Sequence, residues 1–418
     1  MEEKNLQYRS SIIKQLYFAK TLSCADLSEK INKSLPLTAK MLAEMIEDGY
    51  VVEIGYAAST GGRKPIMYSL KADTMFIVSV AMDQLVTRIV MVDMQGKYVT
   101  EIEKFELHLF KAPFGLALLA EKLDAFINRS GIEKDRIIGI GIGMPGFVDA
   151  RKGVNYSFLE TEGESITGYI FERTELPVFI DNDSSLIALA ELKFGAARQK
   201  KNALVVNIGW GIGLGMIVKG ELFIGHNGFA GEFSHIPLFL NGKQCSCGKN
   251  GCLETETSLL VVLEKAKEGL KAGRVSMLQQ LPVEPVEQAN ESLISAAVRG
   301  DKFAVELLSE AGYNLGRGVA ILIHLFNPEM IVLSGRGSLA GRIWQTPIQQ
   351  ALNEHCIPRL AASTEIAISP LGYQAELIGV AALVMENFGM DNAKNIYLNK
   401  GILQLNKKHG EIKMNPKV

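Results

Sequence analysis

Residues 230–254, AGEFSHIPLFLNGKQCSCGKNGCLE, contain the most specific pattern in the chain. A histidine is followed, after nine residues, by a Cys-x-Cys-x4-Cys motif, and the four residues are His235, Cys245, Cys247 and Cys252. One imidazole and three thiolates complete the tetrahedral shell that zinc has in structural sites, and they leave no open position for a catalytic water. The alternative is that these are incidental core cysteines beside a histidine with other partners. The spacing predicts a structural zinc site.

The other cysteines and the composition are compatible with this interpretation. Cys24 and Cys356 are isolated, and an odd count of five with one tight cluster favours a metal site over disulfides. Of the 418 residues, 47% are hydrophobic, which is enough for a large core and for more than one domain. No run of about 18 apolar residues occurs, and the first residues, MEEKNLQYRS, lack the apolar centre of a secretion signal. We therefore expect a cytoplasmic protein that neither spans nor binds a membrane.

Apolar runs alternate with amphipathic stretches from Met75 to about Phe388, as in an α/β protein. The predicted strands are Phe76–Val80, Thr87–Val92, Ile137–Ile142, Val178–Asp181, Ala203–Ile208 and Met330–Ser334. The predicted helices are Pro113–Asn128, Ser184–Phe194, Lys302–Phe326 and Gln374–Phe388.

The first 72 residues have a different pattern. Apolar residues recur at helical spacing in three short stretches, and Ser23 with Asp26 resembles a capping box at the start of the second helix. Gly49 follows the third stretch, where a left-handed helix cap is expected. Two strand-like segments, Val51–Ile54 and Pro65–Leu70, then flank a glycine-rich turn. Three helices and a two-stranded ribbon predict a winged helix-turn-helix.

This arrangement predicts a DNA-binding surface. The helix Leu37–Asp48 would lie in a major groove with Thr38 and Lys40 exposed. Arg63 and Lys64 in the glycine-rich turn would reach phosphates or a minor groove. Charge gives little support, because the first 70 residues carry nine Lys or Arg against eight Asp or Glu and the net charge of the chain is −2. The alternative is a small helical cap that binds another protein.

A glycine-rich segment follows the predicted strand Ala203–Ile208. From Gly209 to Gly215 every second residue is glycine, which allows backbone amides to approach an anion, as in phosphate-binding loops. It is not a Walker loop, because no Gly-Lys-Ser/Thr follows. A glycine-rich hairpin is the alternative interpretation.

Carboxylates mark a second candidate site. Asp181-Asn182-Asp183 ends a predicted strand and offers acceptors and a donor to sugar hydroxyls, and Asp183 is suited to act as a base. The alternative is a helix N-cap before Ser184–Phe194. Glu232 and Glu254 flank the zinc motif, and we expect them to share its site rather than to be solvated surface residues.

Together these motifs resemble the ROK family of bacterial sugar kinases and sugar-responsive repressors. The resemblance is carried by Glu232–Glu254 with the zinc pattern, by Gly141–Asp149 (GIGMPGFVD), by Gly209–Gly215, and by Asn327-Pro328 with Ser334-Gly335. The winged helix-turn-helix is what the repressor branch adds, and the chain looks like the repressors that respond to N-acetylglucosamine or xylose. The resemblance implies an α/β, actin-like (sugar kinase/ribonuclease H-like) domain of two lobes, with the sugar in the cleft between them.

The resemblance also implies a division of the chain. Residues 1–72 would be the winged helix-turn-helix, 75–195 the first lobe, 196–388 the second lobe with the zinc loop, and 389–418 a tail. The last helix of the second lobe would return to the first.

By the same resemblance, the sugar contacts would be Asn182, Asp183, Glu232, His235 and Glu254. Asp183 occupies the position of the kinases' catalytic base. His235 would bind Zn2+ through one ring nitrogen and offer the other to a sugar hydroxyl.

Two departures from the kinases decide the expected function, and a third concerns the sugar. The kinases open the domain with an Asp-x-Gly-x-Thr turn that holds ATP phosphates, whereas Ala81-Met82-Asp83-Gln84-Leu85 stands here. In the other phosphate loop, Trp210 replaces the usual threonine. A negative charge, bulky side chains and a lost hydroxyl predict weak ATP binding, so we expect no catalytic residue and no enzyme. The kinases' asparagine-bearing loop has no clear counterpart in Phe158–Ser165, which leaves the identity of the sugar open.

The sequence thus predicts a sugar-responsive transcriptional regulator, by the resemblance a repressor, with a degenerate sugar-kinase-like effector domain and structural Zn2+. Its partners would be a double-stranded DNA operator, a sugar or sugar derivative, and further copies of the chain in a homodimer or homotetramer. One alternative is an ATP-dependent sugar kinase, of glucokinase or N-acylhexosamine kinase type, with an added N-terminal domain. Another is a scaffold whose N-terminal domain binds a protein.

Overall fold

A computed structural model describes residues 2–57, 64–111, 114–159, 164–278, 281–282 and 285–389. The chain folds into two compact units. Unit 1 holds the residues up to Gly146, Ala150–Ile180 and the residues from Val380 onward, and unit 2 holds Phe147–Asp149 and Asp181–Gly379. The expected lobe boundary after residue 195 thus falls after Ile180, because the helix that follows packs on strands of unit 2. Of the expected tail, only Gly389 is among the described residues.

Residues 2–57 and 64–72 form three helices and a three-stranded antiparallel sheet. The elements are α1 (Glu2–Ala19), β1 (Leu22–Ser23), α2 (Cys24–Lys30), α3 (Leu35–Glu47), β2 (Val51–Tyr56) and β3 (Ile66–Leu70), with the strand order β1-β3-β2. The predicted capping box is present, since Ser23 Oγ accepts from Asp26 N and the Asp26 carboxylate accepts from Ser23 N. Gly49 has a φ of 79°, as a left-handed cap requires. Strand β1 was not predicted, and it adds a third strand to the predicted ribbon.

The expectation that Thr38 is exposed on α3 is wrong. Its side chain is fully buried, and its Oγ1 donates to the carbonyl of Ser34 at 3.1 Å. It lies on the buried side of α3 with Met41, Leu42 and Met45, so it cannot contact DNA bases. Lys40 is exposed as expected, with 71% of its side chain accessible.

Lys64 is also exposed, whereas Arg63 lies outside the described residues.

The described strands of unit 1 beyond residue 72 form a five-stranded sheet in the order β10-β7-β4-β5-β6. They are β4 (Phe76–Met82), β5 (Val86–Asp93), β6 (Glu103–Glu106), β7 (Ile137–Met144) and β10 (Val178–Asn182), with β8 (Val148–Asp149) and β9 (Val154–Asn155) as a separate pair. Helices α4 (Gly115–Arg129) and α5 (Ile166–Thr174) lie between them in the chain. All residues of β4 and β7 are buried, which explains why both strands are continuous apolar runs.

The N-terminal elements are joined to the rest of unit 1 by hydrogen bonds. Lys20 Nζ donates to the carbonyl of Gln95 at 2.9 Å, and Gln95 Nε2 donates to Ser69 Oγ at 3.0 Å. Lys14 Nζ donates to the carbonyl of Glu386 in the last helix. These residues belong to one compact unit, in which the N-terminal elements are held to the turn after β5 and to the last helix.

Unit 2 contains a second five-stranded sheet among its described residues, in the order β13-β12-β11-β14-β15. Its strands are β11 (Ala203–Ile208), β12 (Ile212–Val218), β13 (Glu221–Leu222), β14 (Met330–Ser334) and β15 (Glu365–Ile368). Its helices are α6 (Asp183–Lys193), α7 (Glu254–Thr257), α8 (Leu259–Lys271), α9 (Val286–Val298), α10 (Lys302–Phe326), α11 (Arg342–His355), α12 (Pro358–Ala361) and the start of α13 (Ala375–Asn387). The core under this sheet combines Val205 and Val332 with Ile187 and Ala188 of α6.

The six predicted strands and four predicted helices after residue 72 are confirmed, with bounds that differ by at most two residues. None of the helices in the described part of the chain combines the length and the apolarity that a bilayer crossing requires.

The glycine-rich segment is a β-hairpin. β11 pairs with β12 in antiparallel register from Ala203↔Ile217 to Ile208↔Ile212, so Gly213 and Gly215 lie in a strand and not in a loop. A Cβ on Gly213 would lie 1.9 Å from Ser184 Oγ, and one on Gly215 would lie 2.3 Å from Ala188 Cβ. The alternating glycines therefore let α6 pack closely on the hairpin, and only residues 209–211 remain as the turn.

Candidate metal and sugar site

The zinc motif lies in the segment between β13 and α7, where short backbone contacts fold it back on itself. Isolated bridges pair Pro237 with Cys252 and Gln244 with Asn250. Gly251 has a φ of 74°, and a Cβ there would lie 1.9 Å from the carbonyl oxygen of Phe239, so no other residue fits without a shift of the backbone. This fold-back brings residues that are distant in the segment to one point.

His235, Cys245, Cys247 and Cys252 form a cluster in which all four ligand atoms lie within 4.8 Å of one another. Cys247 Sγ is 3.6 Å from Cys252 Sγ, and Cys245 Sγ is 3.5 Å from His235 Nδ1. Two sulfurs on one tetrahedral zinc are about 3.8 Å apart, given a Zn–S distance of about 2.3 Å. All three thiols are free, so the cluster is not a disulfide site. The donor set and its spacing fit a bound metal ion.

A metal ion at this cluster would have to displace the proton of a buried thiol. Burial, reinforced by the neighbouring Cys247 and Cys245, raises the pKa of the Cys252 thiol to about 12. A thiol with that pKa keeps its proton at neutral pH unless a metal ion replaces it, because metal ligands must be deprotonated.

His235 connects the cluster to a carboxylate. It ends a short 3-10 helix, Phe233–His235, and its ring lies with Nδ1 towards Cys245. The opposite nitrogen, Nε2, is 3.7 Å from Glu232 Oε2. One ring nitrogen, Nδ1, is therefore available to a metal ion, and the other, Nε2, points to Glu232, one of the residues predicted to contact a sugar.

Asn182 and Asp183 stand at the junction of β10 and α6. The side-chain Oδ1 of Asn182 caps α6, because it accepts from Ser184 N at 3.0 Å and from Ser185 N at 3.2 Å. This is the helix-cap alternative of the sequence analysis, and the side-chain oxygen of Asn182 takes that role. Asp183 Oδ2 accepts from Asn207 Nδ2 at 3.3 Å, and Asp183 Oδ1 accepts from Ser184 N at 2.7 Å.

The predicted sugar residues gather around Glu232. Burial raises the pKa of Glu232, and the negative charges of Asp183 and Glu254 raise it further, whereas His235 lowers it. These groups must lie close together to affect one another in this way. Glu254 Oε1 is 3.7 Å from Cys245 Sγ, which joins the same group to the metal cluster. Three carboxylates and an imidazole within one part of unit 2 can accept and donate several hydrogen bonds to a polyhydroxylated ligand.

Two residues close to these predicted sugar contacts in space or in sequence were not predicted to matter. Asn207 holds the Asp183 carboxylate and is a polar residue inside the otherwise apolar strand β11, which is the signal that could have identified it. Asp181 was quoted only as part of the motif, yet burial raises its pKa to about 6.

The Asp83 side chain hydrogen-bonds to the backbone of the turn in which it lies. Its Oδ1 accepts from Leu85 N and from Val86 N, both at 2.8 Å. These backbone amides lie in the segment that the family resemblance matches to the phosphate-holding turn of the kinases, and here the Asp83 carboxylate already accepts hydrogen bonds from them. An anion that needed the same amides would also meet a negative charge.

Trp210 stands in the turn of the β11–β12 hairpin and is only 4% exposed. The Arg336 guanidinium lies 4.4 Å from the centre of its ring and 4.1 Å from the ring of Tyr373. Arg336 is itself 5% exposed, and its Nη1 donates to Glu287 Oε1 at 2.7 Å. Residues from four separate segments thus meet at the glycine turn, and two of them, Trp210 and Arg336, are buried.

Comparison with known proteins places these features in a family. A model described as the ROK family matches residues 115–387. The chain is 28% identical over 384 residues to a xylose repressor of Caldicellulosiruptor bescii, a match that covers 90% of this chain and 94% of the repressor. It is 34% identical over 291 residues to a glucokinase of Halalkalibacterium halodurans, a match that covers 68% of this chain and 88% of the glucokinase.

Among solved structures, the chain is similar to a ROK family transcriptional regulator that is a homologue of the E. coli MLC protein. The identity is 26%, the TM-score is 0.74, and the match covers 95% of this chain and 99% of that one. The N-terminal elements are therefore included in the likeness to the regulator, whereas the match to the glucokinase covers 68% of the chain.

Proposed function

Since the chain belongs to the ROK family, we propose that it is a sugar-responsive transcriptional repressor. Its N-terminal helices and three-stranded sheet would act as a winged helix-turn-helix that binds an operator. Its carboxylate–imidazole cluster, defined as Asp183, Glu232, His235 and Glu254, would bind the sugar. The observation that supports the proposal is that Asp183, His235 and Glu254 all act electrostatically on Glu232, in a chain whose likeness to a repressor extends over 90% of its length.

The metal cluster supports the sugar site. We propose that His235, Cys245, Cys247 and Cys252 hold zinc, which would have a structural role because four protein ligands leave no open position. Bound through Nδ1, the imidazole of His235 is fixed in orientation and must present Nε2 towards Glu232. A fixed imidazole is a better partner for one particular hydroxyl than a freely rotating one, because less conformational entropy is lost on binding.

Phosphoryl transfer is not expected. The Asp83 carboxylate accepts hydrogen bonds from the backbone amides of the segment that resembles the first phosphate turn, so these amides already have a partner. In the segment that resembles the second phosphate loop, Trp210 supplies no hydroxyl. The Arg336 guanidinium lies over the Trp210 ring and is already paired with the Glu287 carboxylate. A nucleotide phosphate would have to displace both arrangements, and we infer that the chain senses a sugar without phosphorylating it.

A sugar can change DNA affinity only if it binds one conformation of the chain better than another. A repressor of this kind acts as a closed oligomer with paired DNA-binding elements, and the distance between them sets which half-site spacing is bound. The proposal therefore includes a homodimer or homotetramer in which the bound sugar alters that pairing.

The test is a mobility-shift titration of the full-length protein on the region upstream of its own gene. D-xylose, D-glucose and N-acetyl-D-glucosamine are added singly, with mannitol as a control. We expect a sequence-specific and salt-sensitive complex that one of the three sugars weakens. A titration without a specific complex, at any salt concentration that keeps the protein soluble, would contradict the proposal.

The alternative function is a sugar kinase, and the specific observation in its favour is the 34% identity to a glucokinase together with Asp183 at the position of the base. A coupled assay of ADP release with the same three sugars separates the two functions. We expect no turnover above background. Turnover that is abolished by Asp183→Asn would establish the kinase instead.

A further inference from the structure

The exposed face of α3 carries few groups that can form hydrogen bonds with bases. Leu35 is 51% exposed, and Pro36 and Ala39 on the same first turns are exposed as well. Residues 34–48 contain no Asn, Gln or Arg, the side chains that most often read bases through paired hydrogen bonds. Lys40 is the exposed cation of this helix, and its Nζ lies 3.9 Å from Glu44.

An open concavity of about 620 Å3 continues this apolar surface. It lies between the starts of α2 and α3 and the β2–β3 ribbon, and Leu35, Tyr56, Ile66 and Tyr68 line it. Tyr56 is 70% exposed. Such an accessible apolar surface is unusual for a small helical element unless it meets a partner.

Charge at the borders favours DNA as that partner. Lys64 lines the concavity on the ribbon side, and Lys40 stands one turn along α3 from Pro36. Both side chains are exposed, so they can approach phosphates while the apolar residues between them face the floor of a major groove. In a helix-turn-helix the N-terminal residues of the second helix are the ones that reach base edges, and these are Leu35, Pro36 and Ala39 here.

The base feature that an apolar side chain can read in the major groove is the C5-methyl group of thymine. Resting on the DNA-binding function proposed above, we propose that Leu35, Pro36 and Ala39 recognise thymine methyl groups. The half-site would then carry thymines at the positions that face the start of α3. Lys40 and Lys64 contribute affinity for the backbone and do not distinguish thymine from other bases.

The experiment compares two versions of one DNA fragment from the upstream region of the chain's gene. The first is ordinary DNA, and in the second every thymine is replaced by deoxyuridine, which keeps the pairing edge and lacks only the methyl group. Fluorescence anisotropy with the full-length protein gives both dissociation constants at one salt concentration. Loss of one buried methyl contact weakens binding by roughly fourfold. We expect weaker binding to the uracil fragment by at least that factor.

Leu35→Ala tests the assignment to α3. Because Leu35 is half exposed, its loss should leave the thermal unfolding midpoint nearly unchanged, which a melting curve verifies. We expect the preference for thymine over uracil to shrink in Leu35→Ala. The matched control is Lys40→Ala, which should weaken binding to both fragments by the same factor.

The outcomes are distinct. Equal affinity of the unmodified protein for the two fragments overturns the inference and leaves the proposed function intact. A preference for thymine that is undiminished in Leu35→Ala also overturns it, because the methyl groups would then act through DNA shape or through another residue. Failure to bind either fragment contradicts the proposed DNA-binding function itself and favours a protein partner for this surface.

Discussion

The guanidinium of Arg336 lies 4.4 Å from the centre of the Trp210 ring, and both side chains are almost completely buried. By the family resemblance, Trp210 stands where the kinases carry a threonine, and in this structure it is part of a packed contact. The Nε1 of Trp210 has no hydrogen-bond partner among the described residues, so the contact that holds this ring is the one between its face and the Arg336 guanidinium.

The first prediction concerns this stack. Arg336→Met should lower the free energy of unfolding by about 3 kcal/mol or more, because Glu287 is left as a partly buried charge without its partner. Lys302→Met is the control, since it breaks an exposed pair with Glu306 and should cost less than about 1 kcal/mol. Urea denaturation measures both, and equal effects of the two substitutions would show that the Arg336 pair has no special importance.

The second prediction concerns the metal. Protein purified without chelators should contain about one zinc per chain by atomic emission, as four ligands predict. Cys247→Ser should lose most of that zinc and lower the melting temperature. Cys356→Ser, which removes a cysteine outside the cluster, should retain the zinc. Metal-free protein with an unchanged melting temperature would contradict this assignment.

The third prediction separates packing from anion binding in the glycine hairpin. Gly215→Ala should destabilise the protein by about 1–3 kcal/mol, because its Cβ would meet the backbone oxygen of Ser184 at 2.5 Å. Gly209→Ala should be tolerated, since the nearest atom is 3.6 Å away. Thermal unfolding of the two variants provides the comparison. The reverse order of stability would mean that the hairpin does not pack on α6 in this way.

The fourth prediction concerns Asp181. Burial raises its pKa from 3.8 to about 6, so the folded state binds more protons than the unfolded state between these values. Stability from this group is therefore present below about pH 4 and is lost as the pH rises through 6. Asp181→Asn removes the ionisation. Its stability relative to the unmodified protein should grow by up to about 3 kcal/mol from pH 4 to pH 7, as urea denaturation at several pH values can show. A constant difference would contradict the prediction.

The fifth prediction follows from the correction at Thr38. Thr38→Val removes a buried hydroxyl that donates a hydrogen bond to the Ser34 carbonyl. The substitution should change the free energy of unfolding and leave the dissociation constant for DNA unchanged. Lys40→Ala should weaken DNA binding and reduce the slope of log affinity against log salt by about one. Mobility shifts across a salt series measure both effects. If Thr38→Val bound operator and unrelated DNA equally well while its free energy of unfolding stayed unchanged, Thr38 would have to contact DNA, which would contradict this prediction.

The local features of this protein could be predicted from sequence. The zinc motif has all four ligands within 18 residues of chain, and continuous apolar runs such as β4 and β7 leave little choice of element. Thr38 was misplaced because periodicity gives the buried side of a helix but does not show how far that side extends. β1 was missed because two residues have no period.

Contacts between residues that are far apart in the sequence could not be predicted from it. Nothing in the sequence brings Arg336 to Trp210, since the two residues follow different strands of the second sheet, and only the parallel pairing of β11 with β14 places them side by side. The glycines of the hairpin were ambiguous for a related reason, because close approach of a helix and close approach of an anion require the same absence of a Cβ.

The central claim is that a sugar bound at the carboxylate–imidazole cluster controls the affinity for DNA. The most direct measurement is the operator dissociation constant by fluorescence anisotropy, with and without the effective sugar, for the unmodified protein and for Asp183→Asn. We expect equal affinities without sugar, a sugar-dependent loss of affinity in the unmodified protein, and no response in Asp183→Asn. A response in Asp183→Asn equal to that of the unmodified protein would place the sugar elsewhere and contradict the account.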